Sequence, residues 1–274
     1  MRPAESALSI RHAVALGLLQ GPAELLPVSS SGHTTLLPWL AGWPYAELDG
    51  ELRKSFEVAL HAGAGAALAI DMRRELLAQA RGMSSDRAAV MALSLAPAAL
   101  TGFLLRAPIE RRLGGPRSVA AGLALGAIAM ALADARRPAE GRASAEAGPC
   151  DGLALGIAQA ASLIPGVSRN GATLTAARVR GFSRRDAQTL SWEVALPVLG
   201  AASVLKGSRL LSGRGAPPPQ ARPALAAATA SAFFSTALSA RVLRRTGGTR
   251  SLAPYSLYRC LLAGAVMIRL RRAG

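Results

Sequence analysis

The sequence predicts an all-α, polytopic membrane protein made of two inverted-topology repeats with broken or re-entrant helices. Three observations support this fold class. The composition is 51% hydrophobic but only 4% aromatic. Apolar runs of near-span length recur along the chain, and two polar segments with a shared pattern interrupt them. We therefore treat residues 1–274 as a single integral membrane domain.

The apolar runs are the first of these features. A helix needs about 20 apolar residues, and at least roughly 17, to cross the hydrocarbon core of a bilayer. Several of the runs lie near the lower limit, so we expect short or tilted helices. The runs are residues 55–71, 89–105, 117–134, 187–205, 223–243 and 252–268.

The basic charge has a membrane explanation. The formal net charge is +16, almost all from arginine, and arginines cluster between the apolar runs, as in Arg73 with Arg74 and Arg244 with Arg245. This placement is typical of contact with lipid headgroups and of positive-inside orientation. Nucleic acid is excluded as a partner, because the positive charge is scattered among apolar runs instead of lying on one soluble face. The predicted surroundings are membrane lipids.

The chain also repeats part of its own pattern. In the same order and at similar separations, Gly17-x-x-Gln20 matches Gly156-x-x-Gln159, Gly32 matches Gly171, and Phe56-Glu-Val-Ala-Leu60 matches Trp192-Glu-Val-Ala-Leu196. These features indicate an internal duplication, with halves at about residues 1–134 and 151–274 and a linker at residues 135–150. Duplicated membrane halves often share a site near the bilayer midplane, on broken helices.

The two polar segments, residues 20–33 and 159–173, carry such breaks. Pro27 disfavours helix at the residue before it, and Pro165–Gly166 does the same in the second segment. We expect each segment to form a half-helix, a polar loop and a second half-helix. Irregular backbone at membrane depth is tolerated only where protein or water covers it, and polar groups there mark a functional site by default.

The first segment combines a carboxylate, hydroxyls and an imidazole. Glu24 requires a cation, a metal or a proton in an apolar setting, and it shares a helix face with the residue four positions earlier. Successive hydroxyl and backbone N–H donors suit anions. A histidine beside hydroxyls and near a carboxylate is a candidate nucleophile or general base. The candidate residues are Gln20, Glu24, Ser29, Ser30, Ser31 and His33.

The second segment places an arginine among neutral donors. The planar guanidinium of Arg169 matches phosphate oxygens and stays charged when desolvated. Ser168, Asn170 and Thr173 add hydrogen-bond donors around it. A structural ion pair between Arg169 and Glu24 is compatible with this phosphate cradle. Together the two segments predict phosphoryl transfer, which depends on positioning and charge neutralisation. The membrane setting makes the other end of the substrate a lipid.

Both segments resemble the signatures of a known family. Gln20-Gly21 followed by Glu24-Leu-Leu-Pro-Val-Ser-Ser-Ser-Gly-His33 resembles the first signature of bacterial undecaprenyl-diphosphate phosphatases, also called bacitracin-resistance proteins. Pro165-Gly-Val-Ser-Arg-Asn-Gly-Ala-Thr173 resembles the second. The resemblance covers essentially the whole chain. It implies a multi-pass enzyme of the bacterial plasma membrane that removes the terminal phosphate of undecaprenyl diphosphate, recycling the lipid carrier for cell-wall synthesis.

The resemblance also implies roles for the site residues. Ser30 or His33 would be the nucleophile or base, and Arg169 would hold the diphosphate. Glu24 would assist through a proton or through a divalent cation, Mg²⁺ or Ca²⁺. Position 20 is glutamine where some members have glutamate, which shifts metal binding towards Glu24. We predict Glu24, Ser30, His33 and Arg169 as catalytic, Ser29, Ser31, Ser168, Asn170 and Thr173 as substrate-binding, and Glu24 and Gln20 as candidate metal ligands.

Two alternatives stay open at this point. Duplicated halves with broken helices are also typical of transporters, so a polyprenyl-phosphate transporter or flippase that performs no hydrolysis is the second hypothesis. The sequence does not give the oligomeric state, and a homodimer is compatible with it.

Overall fold

The computed structural model describes residues 9–136, 140–211, 218–246 and 251–273. Within them the chain forms helices joined by short connections, with no strand and a single isolated bridge between Arg142 and Phe182. The helices are α1 (Ile10–Leu25), α2 (Ser30–Ala41), α3 (Gly50–Asp71), α4 (Arg73–Arg81), α5 (Ser85–Leu113), α6 (Pro116–Ala135), α7 (Pro149–Ala161), α8 (Arg169–Val179), α9 (Arg184–Leu211), α10 (Arg222–Thr246) and α11 (Ala253–Ala273). The all-α prediction is confirmed.

The long helices correspond to the predicted apolar runs, which fall on α3, α5, α6, α9, α10 and α11. Among the described residues, α5, α6 and a segment Pro219–Arg245 that contains most of α10 are long and apolar enough to cross a membrane. Large apolar side chains point outward from these helices: Phe103 is 87% exposed, Phe234 69% and Leu125 67%. Such a surface is costly in water and suits lipid. The chain is a polytopic membrane protein.

The first polar segment forms a re-entrant pair of short helices. With a rise of 1.5 Å per residue, α1 spans about 24 Å and α2 about 18 Å, each less than the hydrocarbon core of about 30 Å. The chain then returns to its starting level, because the Trp43 ring stacks on the His12 ring with centroids 4.3 Å apart. The loop between α1 and α2 therefore lies inside the membrane layer.

The second polar segment repeats this arrangement. Helix α7 has 13 residues and α8 has 11. The backbone N–H of Arg142, before α7, donates to Gly181 O at 2.9 Å, and the N–H of Ser183, after α8, donates to Arg142 O at 3.1 Å. Entry and exit of the pair are thus hydrogen-bonded to each other, and its loop is also internal.

The two pairs enter from opposite faces. Helix α3 extends from the apolar cluster of Phe56 to that of Leu68, at opposite ends of the helices, and α5 and α6 are each long enough to cross a membrane. These three helices bring the chain to the other face. Helix α10 runs parallel to α1 and α3, since Ala13, Phe56 and Ala228 share one apolar cluster at one end of these helices. Leu25 and Ala240 share another at the other end. If the second half enters from the opposite face, α10, which follows the second re-entrant pair and α9, must run parallel to α1, as it does.

The boundaries of the two halves stay a prediction. Helix α6 ends at Ala135 and α7 begins at Pro149, which agrees with a linker at residues 135–150. Residues 137–139 of that linker lie outside the described part of the chain.

Helix α1 packs closely on α10 through glycine. A Cβ added at Gly21 would lie 2.4 Å from the backbone carbon of Ser235. Small residues at membrane helix interfaces allow this approach. We expect Gly21→Ala to lower the free energy of unfolding by about 1–3 kcal/mol, because the helices must move apart. Thermal unfolding of the purified protein in detergent measures this effect.

A matched glycine on α11 provides the control. A Cβ at Gly264 would meet no atom within 4 Å, so Gly264→Ala should leave the melting temperature unchanged or raise it slightly, as alanine favours helix over glycine. Equal losses in the two variants would contradict the close α1–α10 packing.

Candidate functional site

The two internal loops have the same unusual backbone. Ser29 has φ 78° and Ser168 has φ 70°, and they are the non-glycine residues with positive φ in the described structure. Each serine caps the helix that follows, since its hydroxyl oxygen accepts from the N–H of Gly32 at 3.2 Å or of Gly171 at 3.1 Å. Strained backbone of this kind persists where the surroundings impose it, and it is frequent at functional sites. We call these two segments the serine loops, residues 26–29 and 162–168.

Each serine loop leads into a helix N-terminus. Helix α2 begins at Ser30 and α8 begins at Arg169. The first turn of a helix leaves backbone N–H groups without intrahelical partners and carries the positive end of the helix dipole. The N-termini of α2 and α8 both lie at the paired loops, so each repeat contributes one positive helix end that attracts anions.

Glu24 joins the two repeats. Its Oε1 accepts from Arg169 Nη2 at 2.8 Å, and its Oε2 accepts from Ser30 Oγ at 2.8 Å and from Gln20 Nε2 at 3.1 Å. The Glu24 side chain is only 5% exposed. The predicted shared face of Gln20 and Glu24 is present, and so is the Glu24–Arg169 ion pair. His61 Nδ1 lies 3.6 Å from Glu24 Oε2 and 3.3 Å from Gln20 Nε2.

His33 lies apart from this contact group. Its Nδ1 is 2.7 Å from the backbone oxygen of Ser29, and its Nε2 is 2.7 Å from the Tyr258 hydroxyl. The imidazole and the Tyr258 ring also stack, with centroids 5.5 Å apart. Both ring nitrogens therefore have partners other than Ser30 and Glu24.

Asn170 and Thr173 connect the helices around the site through buried hydrogen bonds. Asn170 Nδ2 donates to Leu25 O at 2.6 Å, and its Oδ1 accepts from Ser191 Oγ at 2.8 Å. Thr173 is fully buried, and its hydroxyl contacts Ser191 and the carbonyl oxygens of the preceding turn. These bonds tie the start of α8 to the end of α1 and to α9. Ser31 lies on the exposed side of α2.

A cavity that opens to the surface leads away from the Glu24–Arg169 pair. Its other charged end is the ion pair of Asp71 with Arg244. Side-chain exposure rises along it, from 5% at Glu24 and 18% at Arg169 to 39% at Arg244. The walls between are mostly apolar and include Leu68, Met72, Trp192, Leu196, Ala240 and Leu243.

Three polar contact residues were missing from the sequence prediction: Tyr258, Arg259 and Ser191. Arg259 is fully buried and lies in the predicted apolar run 252–268. An ionisable residue inside a span is a functional candidate by default, so this signal was available. Nothing comparable in the sequence indicated Ser191.

The residues at Glu24 offer a partial cation site. In the described ranges no group of three or more His, Cys, Asp or Glu side chains is placed to hold a metal ion. Gln20 Oε1 is, however, a buried oxygen without a hydrogen-bond partner in the structure. A carboxylate with one amide oxygen suits Mg²⁺, which commonly takes its other ligands from substrate phosphate and water.

Comparisons with known proteins extend the similarity beyond the two loops. The family model described as "Bacitracin resistance protein BacA" matches residues 13–266. The undecaprenyl-diphosphatase of Geobacter sulfurreducens is 36% identical, over 95% of this chain and 98% of its own length. That of Geobacter metallireducens is 37% identical, over 93% and 95%, and that of Pelobacter propionicus is 36% identical, over 95% and 97%.

Proposed function

Because the chain belongs to the bacitracin resistance protein BacA family, we propose that the residues flanking its paired serine loops carry out the hydrolysis of undecaprenyl diphosphate to undecaprenyl phosphate and inorganic phosphate. The protein is a membrane hydrolase of the undecaprenyl-diphosphatase type. Neither the family match nor the names of the relatives favour the transport alternative. The observation that carries the proposal is the Glu24 carboxylate, which contacts the Ser30 hydroxyl of one repeat and the Arg169 guanidinium of the other.

Ser30 is the proposed nucleophile. Its Oγ already donates to Glu24 Oε2 at 2.8 Å, so the carboxylate is placed to take this proton while the Oγ–phosphorus bond forms. The bond from the terminal phosphorus to the bridging oxygen breaks, and that oxygen leaves with the electron pair as part of undecaprenyl phosphate. His33, the alternative nucleophile, is held between Ser29 O and the Tyr258 hydroxyl, which supports the choice of Ser30.

Water completes the cycle. It attacks the phosphorus of the phosphoserine, and the protonated Glu24 returns its proton to Ser30 Oγ as that bond breaks. The two water protons leave on the released dihydrogen phosphate. Glu24 thus acts as base in the first half-reaction and as acid in the second.

The phosphate oxygens lie between charges from both repeats. Arg169 carries a full positive charge at the start of α8, and the N–H groups of the first turns of α2 and α8 add partial positive charge. Fixed donors of this kind stabilise charge that spreads over the transferring phosphoryl group. The Glu24–Arg169 contact keeps the guanidinium in place before substrate binds.

The polyprenyl chain occupies the apolar cavity. A diphosphate bound at Glu24 and Arg169 would direct its first isoprene units along walls such as Leu68, Leu196 and Leu243. This cavity supports a lipid substrate over a soluble phosphate ester. The location that follows is the bacterial plasma membrane, where the lipid carrier is recycled for cell-wall synthesis.

The proposed cofactor is Mg²⁺ or Ca²⁺. Glu24 and the free Gln20 Oε1 would hold it together with phosphate oxygens and water. When bound, the cation neutralises part of the charge of the diphosphate.

Release of inorganic phosphate from undecaprenyl diphosphate by the purified protein, with Mg²⁺ or Ca²⁺ present, tests the function. We expect Glu24→Gln to lower kcat by about 10²–10³-fold, because the amide keeps the shape of the carboxylate but cannot accept the Ser30 proton. Glu51→Gln, on an exposed carboxylate at the start of α3, is the control and should match wild type. Absence of phosphate release by the wild-type protein would refute the proposed function. A Glu24→Gln variant with wild-type activity would refute the role of Glu24 as general base.

A further inference from the structure

Helix α11 presents two adjacent polar residues to the serine loops, and neither of them lines the cavity. Tyr258 contacts the first loop region through His33. Arg259 contacts both loops through their backbone carbonyls. Neither residue contacts the Glu24–Ser30–Arg169 group directly. We call Tyr258 and Arg259 the α11 clamp.

Arg259 bridges the two loops. Its Nη1 donates to Pro27 O at 3.3 Å, and its Nη2 donates to Gly166 O at 3.2 Å and to Val167 O at 2.8 Å. The side chain is fully buried, and its hydrogen-bond partners in the described structure are carbonyl oxygens. These carbonyls belong to the two serine loops and are acceptors only, so each can bind the guanidinium as a hydrogen-bond acceptor. The buried guanidinium thus binds carbonyl oxygens of both loops.

Two glycines, Gly126 and Gly171, leave room for the Arg259 guanidinium because they have no side chain. A Cβ at Gly126 would lie 2.4 Å from Arg259 Nη2, and one at Gly171 would lie 2.7 Å from Nη1. Gly171 lies in the first turn of α8 and Gly126 in α6. The fold thus accommodates the arginine at the junction of both repeats, and its planar fork fixes the carbonyls in one arrangement.

The Ser29 carbonyl and the Tyr258 hydroxyl together set the tautomer of the neutral His33 ring. The Ser29 carbonyl can only accept, so the hydrogen bond at 2.7 Å requires the proton on Nδ1. In the neutral ring Nε2 then carries the lone pair, and the Tyr258 hydroxyl donates to it at 2.7 Å. His33 in turn holds the carbonyl of Ser29, the residue with positive φ that precedes Ser30.

We propose that the α11 clamp is a positioning element that holds the two serine loops in register, so that Ser30 faces Glu24 and Arg169. Tyr258 acts through His33 on the first loop, and Arg259 acts on both loops. Substrate contacts neither residue. The inference rests on the proposed function of the loops and adds two residues that act on the chemical step without taking part in it.

Tyr258→Phe tests the first half of the clamp. We expect kcat for undecaprenyl diphosphate to fall by about tenfold or more while KM stays within twofold, because the cavity is intact and the alignment is lost. Tyr255→Phe, one turn earlier on α11 and packed in an apolar cluster, should leave both constants within twofold. Equal values for the two variants, or a rise in KM alone, would overturn the role of Tyr258.

Nitrogen-15 NMR of histidine provides a readout that a purely structural role would not change. The chain has three histidines, and His33→Gln assigns the relevant signal. Wild type should show the proton on Nδ1 and an unprotonated Nε2 at neutral pH. Tyr258→Phe should shift the Nε2 signal, whereas Tyr255→Phe should not. An Nε2 signal that does not respond to Tyr258→Phe would overturn the proposed hydrogen bond.

Arg259→Lys tests the bridge between the loops. A single ammonium cannot reproduce the fork across three carbonyls, so we expect kcat to fall by about 10²-fold. The control is Arg269→Lys, on the same helix near its exposed end, which should retain wild-type kcat. If Arg259→Lys fails to fold, the Tyr258→Phe results alone decide the proposal. Wild-type turnover in Arg259→Lys would overturn it.

These outcomes separate the clamp from the function. An inactive wild-type protein refutes the phosphatase function and leaves the NMR result to judge the Tyr258–His33 contact. An active wild type with unaffected clamp variants refutes the clamp alone.

Discussion

Ser30→Ala should lower kcat by on the order of 10⁴-fold or more and change KM by only a few-fold. The variant cannot form the phosphoserine, whereas Arg169, the two helix N-termini and the apolar cavity still bind substrate. Removal of a nucleophile typically leaves only the catalysis that binding and fixed charge provide. Steady-state phosphate release from undecaprenyl diphosphate measures both constants.

Ser162→Ala is the control for this variant. Ser162 lies in the second serine loop, and its hydroxyl donates to Gln159 O at 2.7 Å, away from Glu24. It should retain most of the wild-type kcat. A Ser30→Ala protein with more than about one tenth of wild-type turnover would contradict the nucleophile assignment. Phosphate trapped covalently on His33 would then identify His33 as the attacking residue.

Arg169→Ala should lower kcat/KM by about 10³–10⁴-fold. Loss of a single fixed donor to the transition state costs about 10²–10³-fold, and an arginine on a transferring phosphoryl group contributes about 10³–10⁵-fold. The same change leaves the buried Glu24 carboxylate without its guanidinium partner at 2.8 Å. Breaking a buried pair in this way costs about 3–5 kcal/mol of stability, so thermal unfolding should be measured beside activity.

Two further variants separate the electrostatic effect from the structural one. Arg169→Lys keeps the charge but not the planar fork, so it should recover most of the stability and only part of the activity. The double variant Glu24→Gln/Arg169→Ala removes both charges of the pair and should also recover stability while staying inactive. Substantial turnover in the double variant would refute the role of Arg169 in binding phosphate.

The sequence predicted those site contacts that local geometry determines. Gln20 and Glu24 are four residues apart in a helix, so their common face follows from the helical repeat. The prolines and glycines of the two segments predicted helix breaks, and the breaks place Ser29 and Ser168 in equivalent conformations. The duplicated pattern also predicted that both loops belong to one site, which the Glu24–Arg169 contact joins.

The contacts made by α11 could not be derived in the same way. Tyr258 and His33 are separated by 225 residues, and their contact depends on how α11 packs against α2 and α6. The direction of the His33 side chain follows from this packing and not from the helix position alone. The sequence therefore left Ser30 and His33 as equal candidates, whereas the structure places the Ser30 hydroxyl on Glu24 and the His33 ring on Tyr258.

The same limit applies to the cavity. Its walls come from α1, α3, α8, α9 and α10, and apolar runs show that such helices exist but not which of their faces meet. Residues such as Trp192 and Leu243 thus line the cavity only through the packing of helices that are distant in sequence.

Rapid-quench trapping of the phosphoenzyme tests the central claim most directly. Undecaprenyl diphosphate labelled with ³²P in its terminal phosphate is mixed with the protein, quenched within one turnover and analysed by peptide mass spectrometry. The account predicts acid-stable label on Ser30, absent from Ser30→Ala and formed before free phosphate appears. Label on His33, or free phosphate formed at full rate with no labelled protein, would contradict it.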